Sequence, residues 1–261
     1  MKQPWQGEVN EQHYSHFSPK TQDLFPHWQA REITSLLAPP APSPPWLIQQ
    51  VVQGQEEPAP PLEQLTATEK TKLASFRLAK RRHEWLAGRL AAKAAVCQIA
   101  PPLSPAQVEI STSERGRPRA RLPQGRTMAV SISHSGGLAV GLASPAGEAG
   151  IDIQELVPAL IRIRGRFVHH DEERLLAQLA PPDEPLAALG LLWSAKEALR
   201  KQLEIWPLLG FLEARLSRVA WQGSIASLTF TPKPGQRTLP SQLPQVQACQ
   251  LGNFTLAATI P

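Results

Sequence analysis

Gly150-Ile151-Asp152-Ile153-Gln154 and Trp193-Ser194-Ala195-Lys196-Glu197-Ala198-Leu199-Arg200-Lys201 are the two stretches that decide how this chain folds and what chemistry it carries. The first alternates apolar and polar residues, which predicts a strand whose Asp152 side chain points away from the face that the isoleucines share. The second predicts a helix on which Glu197 precedes Lys201 by four residues, so that both lie on one face. Taken alone, Asp152 in the first motif can be a carboxylate at the solvent-exposed edge of a sheet. Glu197 and Lys201 in the second motif can form an ordinary surface ion pair.

A third polar motif, Ser131-Ile132-Ser133-His134-Ser135, closes a predicted strand over 129–134. Two glycines and a return strand over 138–143 follow it, which predicts a hairpin. Upstream, Arg115-Gly116-Arg117-Pro118 is a basic loop whose guanidinium groups can reach phosphate oxygens. On its own, the loop can be an ordinary turn, and His134 is more often a hydrogen-bonded structural histidine than a ligand.

The rest of the chain mixes helices with short strands, which predicts an α+β fold. Thr66 or Thr68 can cap a first helix, and a second helix over 82–98 ends at Pro101-Pro102. Further helices are predicted over 167–179 and 186–203, and further strands over 46–52, 108–112, 150–154, 215–221, 225–231, 245–249 and 255–260. No internal repeat is visible in the sequence.

The composition predicts a globular protein with an anionic partner. Of the 261 residues, 42% are apolar and 19% are charged, and the net charge is +5. Eight lysines and arginines against one acid lie in residues 70–93, and five arginines against one glutamate lie in residues 114–126. Such clustering favours nucleic acid, an acidic protein or a phosphorylated small molecule as the partner.

Composition also bounds the compartment. Two cysteines exclude a disulfide framework and a Cys-rich zinc site. The longest apolar run, Leu186–Trp193, is far shorter than the roughly 20 residues of a membrane span. The first residues contain no apolar leader segment. We therefore expect a soluble cytoplasmic protein that binds no membrane.

Together, these motifs and the basic helix before them resemble the Sfp-type 4′-phosphopantetheinyl transferases, from about Trp46 to the C-terminus. The most specific parts are Gly150-Ile151-Asp152 and the Trp193–Lys201 motif. The resemblance implies a pseudo-dimer of two similar α+β halves with the active site between them, and we expect a monomer. The implied divisions are a Pro/Gln-rich N-terminal extension over 1–45, an N-terminal half over 46–145 and a C-terminal half over 146–261.

Members of this family transfer the 4′-phosphopantetheine group of coenzyme A to a serine of an apo carrier protein and release 3′,5′-ADP. The resemblance implies that Asp152, Glu197 and Gln154 hold Mg²⁺. It also implies that Glu197 is the general base and that Lys201 lies beside the phosphates, so that Asp152, Glu197 and Lys201 form the catalytic set. The implied coenzyme A contacts are Lys72, Arg115, Gly116, Arg117, Pro118, Ser133, His134 and Lys201, of which Ser133 and His134 match the 3′-phosphate contact.

The sequence departs from the family at Gln154, where many members carry a third acid. An amide oxygen is a weaker ligand for Mg²⁺ than a carboxylate, so a water molecule can replace it. Glu172 is either an acid near the site or a solvated acid of a helix. The polar cluster from His169 to Glu173 is interpreted as the start of a helix rather than as a metal site.

Two other functions are weighed against the transferase. A catalytically degraded family member that only binds coenzyme A or a carrier protein would keep the fold, although Asp152, Glu197 and Lys201 are all present. A nucleic-acid-binding protein is disfavoured, because the basic region lacks interleaved aromatic residues and any helix-turn-helix or zinc pattern. The sequence does not name the carrier protein.

Overall fold

Two antiparallel sheets, each packed against one long helix, make up the fold of the computed structural model. The structure describes residues 30–32, 46–49, 61–114, 116–145, 148, 150–181, 183–203, 209–235 and 239–260. Most of the predicted extension over 1–45 lies outside these ranges.

The first sheet and its helices come from the N-terminal part of the chain. Its elements are β1 (Ala30–Glu32), β2 (Trp46–Gln49), α1 (Ala67–Ala74), α2 (Ala79–Ile99), β3 (Glu109–Thr112), β4 (Pro118–Arg121), β5 (Thr127–Ser135) and β6 (Leu138–Ser144). The strand order is β1-β2-β6-β5-β4-β3. Helix α2 lies so close to β6 that a Cβ on Gly141 would be 2.5 Å from the backbone of Ala91, which is why a glycine is needed there.

The second sheet follows the same plan. Its elements are β7 (Ile151–Glu155), α3 (Ala159–Arg162), α4 (Glu173–Leu176), α5 (Pro185–Leu203), β8 (Ala214–Gln222), β9 (Ile225–Pro232), β10 (Gln245–Leu251) and β11 (Phe254–Ile260). The strand order is β7-β11-β10-β9-β8, which matches the first sheet once β1 is set aside. Gly150 lets the start of β7 meet α5, because a Cβ there would overlap the carbonyl oxygen of Ala198.

The two sheets meet along β5 and β7. Ser131 Oγ accepts a hydrogen bond from the Ile151 amide at 3.0 Å, and Ser135 Oγ accepts one from the Glu155 amide at 3.0 Å. The Ser-Ile-Ser-His-Ser motif therefore joins the two halves through its hydroxyl groups. Apolar residues from both sheets complete the junction in one buried cluster: Ala129, Leu138, Val140, Leu142, Ile151, Ile153, Cys249, Phe254, Leu256 and Ala258.

A buried lysine–glutamate pair holds the N-terminal half. Lys93 on α2 is fully buried, and its Nζ lies 2.5 Å from Glu69 Oε2. Glu69 accepts further hydrogen bonds from the amides of Thr66 and Ile110 at 3.0 Å each. Burial lowers the pKa of Lys93, and the hydrogen bond that Lys93 donates to Glu69 opposes this decrease. The pair thus ties α1, α2 and β3 together.

The same arrangement recurs in the C-terminal half. Lys196 Nζ on α5 lies 2.7 Å from Glu172 Oε1. Glu172 accepts further hydrogen bonds from the amides of His169 at 2.7 Å and Leu216 at 2.6 Å. Both residues are buried. In each half a glutamate binds its own helix cap, a lysine of the long helix and the first strand after that helix, so the structure contains a local repeat that the sequence did not show.

Most predicted elements are confirmed, with ends that differ by a few residues. The helix predicted over 167–179 is wrong, because the segment forms a 3₁₀ turn at His170–Glu172 and only one α-helical turn, α4. The physical reason is that Glu172 turns inward to its three buried partners. Strand β4 was not predicted from its basic sequence; its proline occupies the first strand position, where the missing N–H is tolerated.

Candidate active site

Asp152, Ser133 and Lys201 meet at the junction of the two halves. Asp152 Oδ1 accepts hydrogen bonds from Ser133 Oγ at 2.6 Å and from Lys201 Nζ at 2.7 Å. Lys201 Nζ also donates to the carbonyl oxygen of Ile151 at 2.9 Å. Asp152 is only 5% exposed, and of its two donors Lys201 supplies the compensating charge while Ser133 supplies a neutral hydrogen bond.

Glu197 lies on α5, one helical turn before Lys201. Its Oε1 accepts a hydrogen bond from Arg200 at 2.8 Å. Burial raises the pKa of Glu197; Arg200 opposes this increase, and the nearby charge of Asp152 adds to it. The two carboxylates therefore lie close enough to interact electrostatically, and Glu197 is a stronger base than an ordinary surface glutamate.

The oxygens at this junction fit a hard divalent cation. Among the described residues, Asp152 Oδ2 and Glu197 Oε2 have no hydrogen-bond partner. Gln154 lies two residues beyond Asp152 on the same strand face, and its Nε2 donates to the carbonyl oxygen of Glu155 at 2.7 Å, which leaves its Oε1 available. Mg²⁺ takes carboxylate and carbonyl oxygens as ligands and shares them with phosphates.

An open cleft of about 420 Å³ lies beside this junction on the N-terminal half. Its wall contains four of the residues predicted to contact coenzyme A, from α1, the 114–118 loop and the end of β5: Lys72, Gly116, Pro118 and His134. Arg81 and Arg89 add positive charge to the wall. The cleft thus offers basic groups and apolar surface to an anionic ligand.

His134 lines the cleft and is an exposed residue. Partial desolvation lowers the pKa of His134; Glu84 opposes this decrease, while Arg81 and Lys201 strengthen it. Desolvation, helped by these two cations, therefore favours the neutral imidazole when no anion is bound.

Arg117 forms hydrogen bonds with the backbone of α5 in the structure. Its guanidinium donates to the carbonyl oxygens of Lys201 at 2.6 Å and Gln202 at 2.7 Å, near the C-terminal end of α5. These contacts satisfy carbonyl groups that a helix end leaves without partners. A phosphate contact for Arg117 stays a prediction, and Arg115 lies outside the described residues.

Glu172 and its neighbours do not form a second site. Glu172 is fully buried against Lys196, so the interpretation as a solvated acid is wrong and its role is structural. The potential ligand atoms of His169, His170 and Asp171 lie within 4.8 Å of one another. Arg215 donates to Asp171 at 2.8 Å and contacts His169, and this cation disfavours a metal ion.

Sequence reasoning missed Arg200 as part of the site. Its guanidinium lies 4.2 Å from the centre of the Phe211 ring and binds Glu197. The available signal was its position three residues after Glu197 on one helix. Sequence reasoning also counted Lys93 in the basic cluster over 70–93 that favours an anionic partner, whereas the structure buries it against Glu69. Among the helices in the described ranges, none is long and apolar enough to cross a membrane.

Paired carboxylates and a lysine beside a basic cleft are typical of enzymes that act on phosphate groups. Comparison with known proteins narrows this class. Family models for the 4′-phosphopantetheinyl transferase N-terminal domain and the 4′-phosphopantetheinyl transferase superfamily match residues 69–144 and 148–251. The 4′-phosphopantetheinyl transferase AcpT of Salmonella typhimurium is 32% identical over 182 residues, which covers 69% of this chain and 78% of that protein. AcpT of Salmonella typhi matches to the same extent.

This chain therefore belongs to the 4′-phosphopantetheinyl transferase superfamily, and the resemblance seen in the sequence is confirmed at that level. Among solved structures, a holo-(acyl-carrier-protein) synthase from Bacillus anthracis in complex with CoA (3′,5′-ADP) is 30% identical. The match covers 31% of this chain and 76% of that chain, with a TM-score of 0.27.

Proposed function

We propose that this protein transfers the 4′-phosphopantetheine group of coenzyme A to a serine of an apo carrier protein and releases 3′,5′-ADP. The observation that carries the proposal is the meeting of Asp152, Lys201 and Glu197 beside a basic cleft, in a chain of the 4′-phosphopantetheinyl transferase superfamily. The transferase class follows from the superfamily, and we propose in addition that the reaction depends on Mg²⁺.

Each side chain at the junction has a role that suits its surroundings. Asp152, Glu197 and Gln154 would hold the Mg²⁺, and the bound ion would neutralise charge on the pyrophosphate of coenzyme A. Glu197, whose pKa is raised by burial, accepts the proton of the carrier serine directly or through water. Lys201 offsets the negative charge that develops on the leaving 3′,5′-ADP.

The bonds balance in a single displacement. The serine oxygen forms a bond to the phosphorus atom that carries the pantetheine group. The bond from that phosphorus to the bridging oxygen of the pyrophosphate breaks, and its electron pair leaves with 3′,5′-ADP. The serine proton passes to Glu197, so no oxidant or further reactant is required.

The cleft is the proposed binding site for coenzyme A. Lys72, Gly116, Pro118 and His134 line it, and His134 is assigned to the 3′-phosphate. Arg115 and Arg117 complete the basic loop. Ser133 orients Asp152, because its Oγ donates a hydrogen bond to Asp152 Oδ1 at 2.6 Å.

The matching strand orders of the two sheets support a pseudo-dimer, in which each half supplies one side of the site. The repeated Glu69–Lys93 and Glu172–Lys196 pairs support the same view. Because one chain provides both halves, we propose that the protein acts as a monomer in the cytoplasm.

Mass spectrometry of apo carrier proteins tests the proposal. Incubation with coenzyme A, Mg²⁺ and this protein is expected to add about 340 Da, the mass of the transferred phosphopantetheine group. Asp152→Ala is the matched control and is expected to abolish the gain in mass. If a broad panel of carriers gains no mass while coenzyme A still binds, the protein is a degraded member that acts as a binding module.

A further inference from the structure

Arg200 is fixed by an aromatic stack that starts at the tryptophan of the helix motif. The Phe211 ring lies 4.6 Å from the ring of Trp193, and the Arg200 guanidinium lies 4.2 Å from the centre of Phe211. The ring centres of Trp193 and Phe167 lie 5.1 Å apart, with the two rings in a T-shaped arrangement. A planar guanidinium packed on an aromatic face has few alternative positions.

The stacked guanidinium of Arg200 donates a hydrogen bond to Glu197. Arg200 donates to Glu197 Oε1 at 2.8 Å, and within the described ranges this is its only hydrogen-bond partner. The Arg200 Nε is buried and has no hydrogen-bond partner among the described residues. The arginine therefore occupies one oxygen of Glu197 and leaves Oε2 open, while it places a positive charge beside the carboxylate that is proposed to hold Mg²⁺.

We propose that Arg200 is a positioning residue that holds Glu197 by one oxygen and keeps the affinity of the protein alone for a divalent cation low. This inference rests on the proposed function. A fixed positive charge within a few ångströms of a divalent cation opposes its binding, and the effect is strong in a partly buried site. The phosphates of coenzyme A supply the missing negative charge, so the cation binds tightly only together with that substrate.

Titration with Mn²⁺, followed by the electron paramagnetic resonance signal of the free ion, tests this inference on the full chain. Arg200→Gln removes the charge, Arg200→Lys keeps it, and Arg164→Gln is a matched control that breaks the Arg164–Glu173 ion pair elsewhere on the same half. Without coenzyme A, Arg200→Gln is expected to lower the Kd for Mn²⁺ roughly fivefold or more. Arg200→Lys and Arg164→Gln are expected to stay within about twofold of the unmodified protein.

Coenzyme A is expected to reduce the difference between Arg200→Gln and the unmodified protein, because the phosphates then dominate the potential at the site. An Arg200→Gln protein that folds and binds Mn²⁺ as weakly as the unmodified protein, or more weakly, overturns the inference. Should this variant not fold, Phe211→Leu tests the same point by removing the platform of Arg200. It is expected to lower the Kd about threefold, which is beyond the range set for the controls, and a Kd that stays within about twofold of the unmodified protein contradicts the inference.

Asp152→Ala separates this inference from the proposed function. If Asp152→Ala leaves the Kd for Mn²⁺ unchanged both with and without coenzyme A, the proposed metal site is wrong. The proposed role of Arg200 is then wrong as well. If Mn²⁺ binding is lost in Asp152→Ala but is unchanged in Arg200→Gln, only the role of Arg200 is overturned.

Discussion

Asp152 takes both of its hydrogen bonds on Oδ1, and Lys201 reaches it across 49 positions of the chain. The pair formed by the buried Asp152 carboxylate and the partly exposed Lys201 ammonium is thus pre-assembled, and the second oxygen of Asp152 is left for a ligand. Gln154 and His134 flank this pair on β7 and β5. In the described residues, no hydrogen bond fixes the Gln154 Oε1 atom or the His134 ring, whereas Asp152 and Lys201 are held by each other.

Replacing the amide of Gln154 by a carboxylate tests its place near the cation. Gln154→Glu is expected to lower the Mg²⁺ concentration for half-maximal transfer, since a carboxylate binds Mg²⁺ more strongly than an amide. The maximal rate need not rise, because tighter metal binding is not by itself stabilisation of the transition state. The measurement is a Mg²⁺ titration of initial rates. An unchanged titration curve means that water fills this position.

The protonation of His134 reports on the 3′-phosphate of coenzyme A. In the free protein we expect its pKa to lie below the usual value of 6.5. A bound phosphate favours the charged imidazolium, so the pKa should rise when coenzyme A binds. Binding then takes up a proton, and the affinity for coenzyme A should increase as the pH falls between the bound and free pKa values.

The check is an NMR titration of the His134 ring with coenzyme A and with its 3′-dephospho form. Only coenzyme A should raise the pKa. Equal shifts with both ligands, or equal losses of affinity for both in His134→Ala, would assign His134 a structural role.

Helix α5 carries the chemistry on one face and the anchor on another. Lys196 is buried against Glu172, while the next residue, Glu197, faces the junction. Helix α2 repeats the anchor with Lys93 and Glu69 but has Ala94 where α5 has Glu197. Comparing the two helices therefore separates two roles of the buried lysine. On α2 it only holds the helix, whereas on α5 it can also position the carboxylate of Glu197.

Lys196→Met and Lys93→Met form a matched pair. Each leaves a buried glutamate without its cation and is expected to cost about 3–5 kcal/mol of unfolding free energy. Only Lys196→Met should also raise the Mg²⁺ concentration for half-maximal transfer, because it loosens the turn that presents Glu197. Urea denaturation and Mg²⁺ titrations of the folded fraction measure the two effects. Equal Mg²⁺ requirements in both variants would show that the pair only supports the fold.

At the scale of the whole molecule, an exposed basic surface lies next to the cleft and is formed by Lys72, Arg77, Lys80, Arg81 and Arg82. It runs from α1 into α2 and surrounds Leu78, which is 72% exposed. Lys72 and Arg81 belong both to this surface and to the cleft wall. A carrier protein with acidic residues around its modified serine would fit here, with its serine directed to Glu197.

Charge reversal tests this docking surface. Arg77→Glu combined with Lys80→Glu is expected to raise the KM for the carrier protein about tenfold and to leave the KM for coenzyme A unchanged. Arg121→Glu combined with Arg126→Glu is the matched control, since it makes the same change in net charge on β4 and the following turn. Steady-state kinetics at two ionic strengths provide the measurement. If both double variants raise the KM for the carrier protein equally, net charge alone explains the change and the docking surface is not supported.

The sequence by itself determined the elements that carry each motif. The strand around Asp152, the hairpin after Ser131 and the helix of Glu197 and Lys201 are all where local alternation and helical spacing predicted them. Each motif is continuous along one element, so its geometry depends on neighbours within a few residues. The same local signals carried the resemblance that the comparisons confirmed.

Only the tertiary structure decided which residues meet. Arg117 turns to the end of α5, 84 positions away, and Lys93 leaves the basic face for Glu69. Glu172 breaks a predicted helix because Lys196 and the amide of Leu216, 24 and 44 positions away, draw it inward. Burial of a charge is stable only with a partner, and the partner's position is set by the packing of two sheets rather than by local spacing.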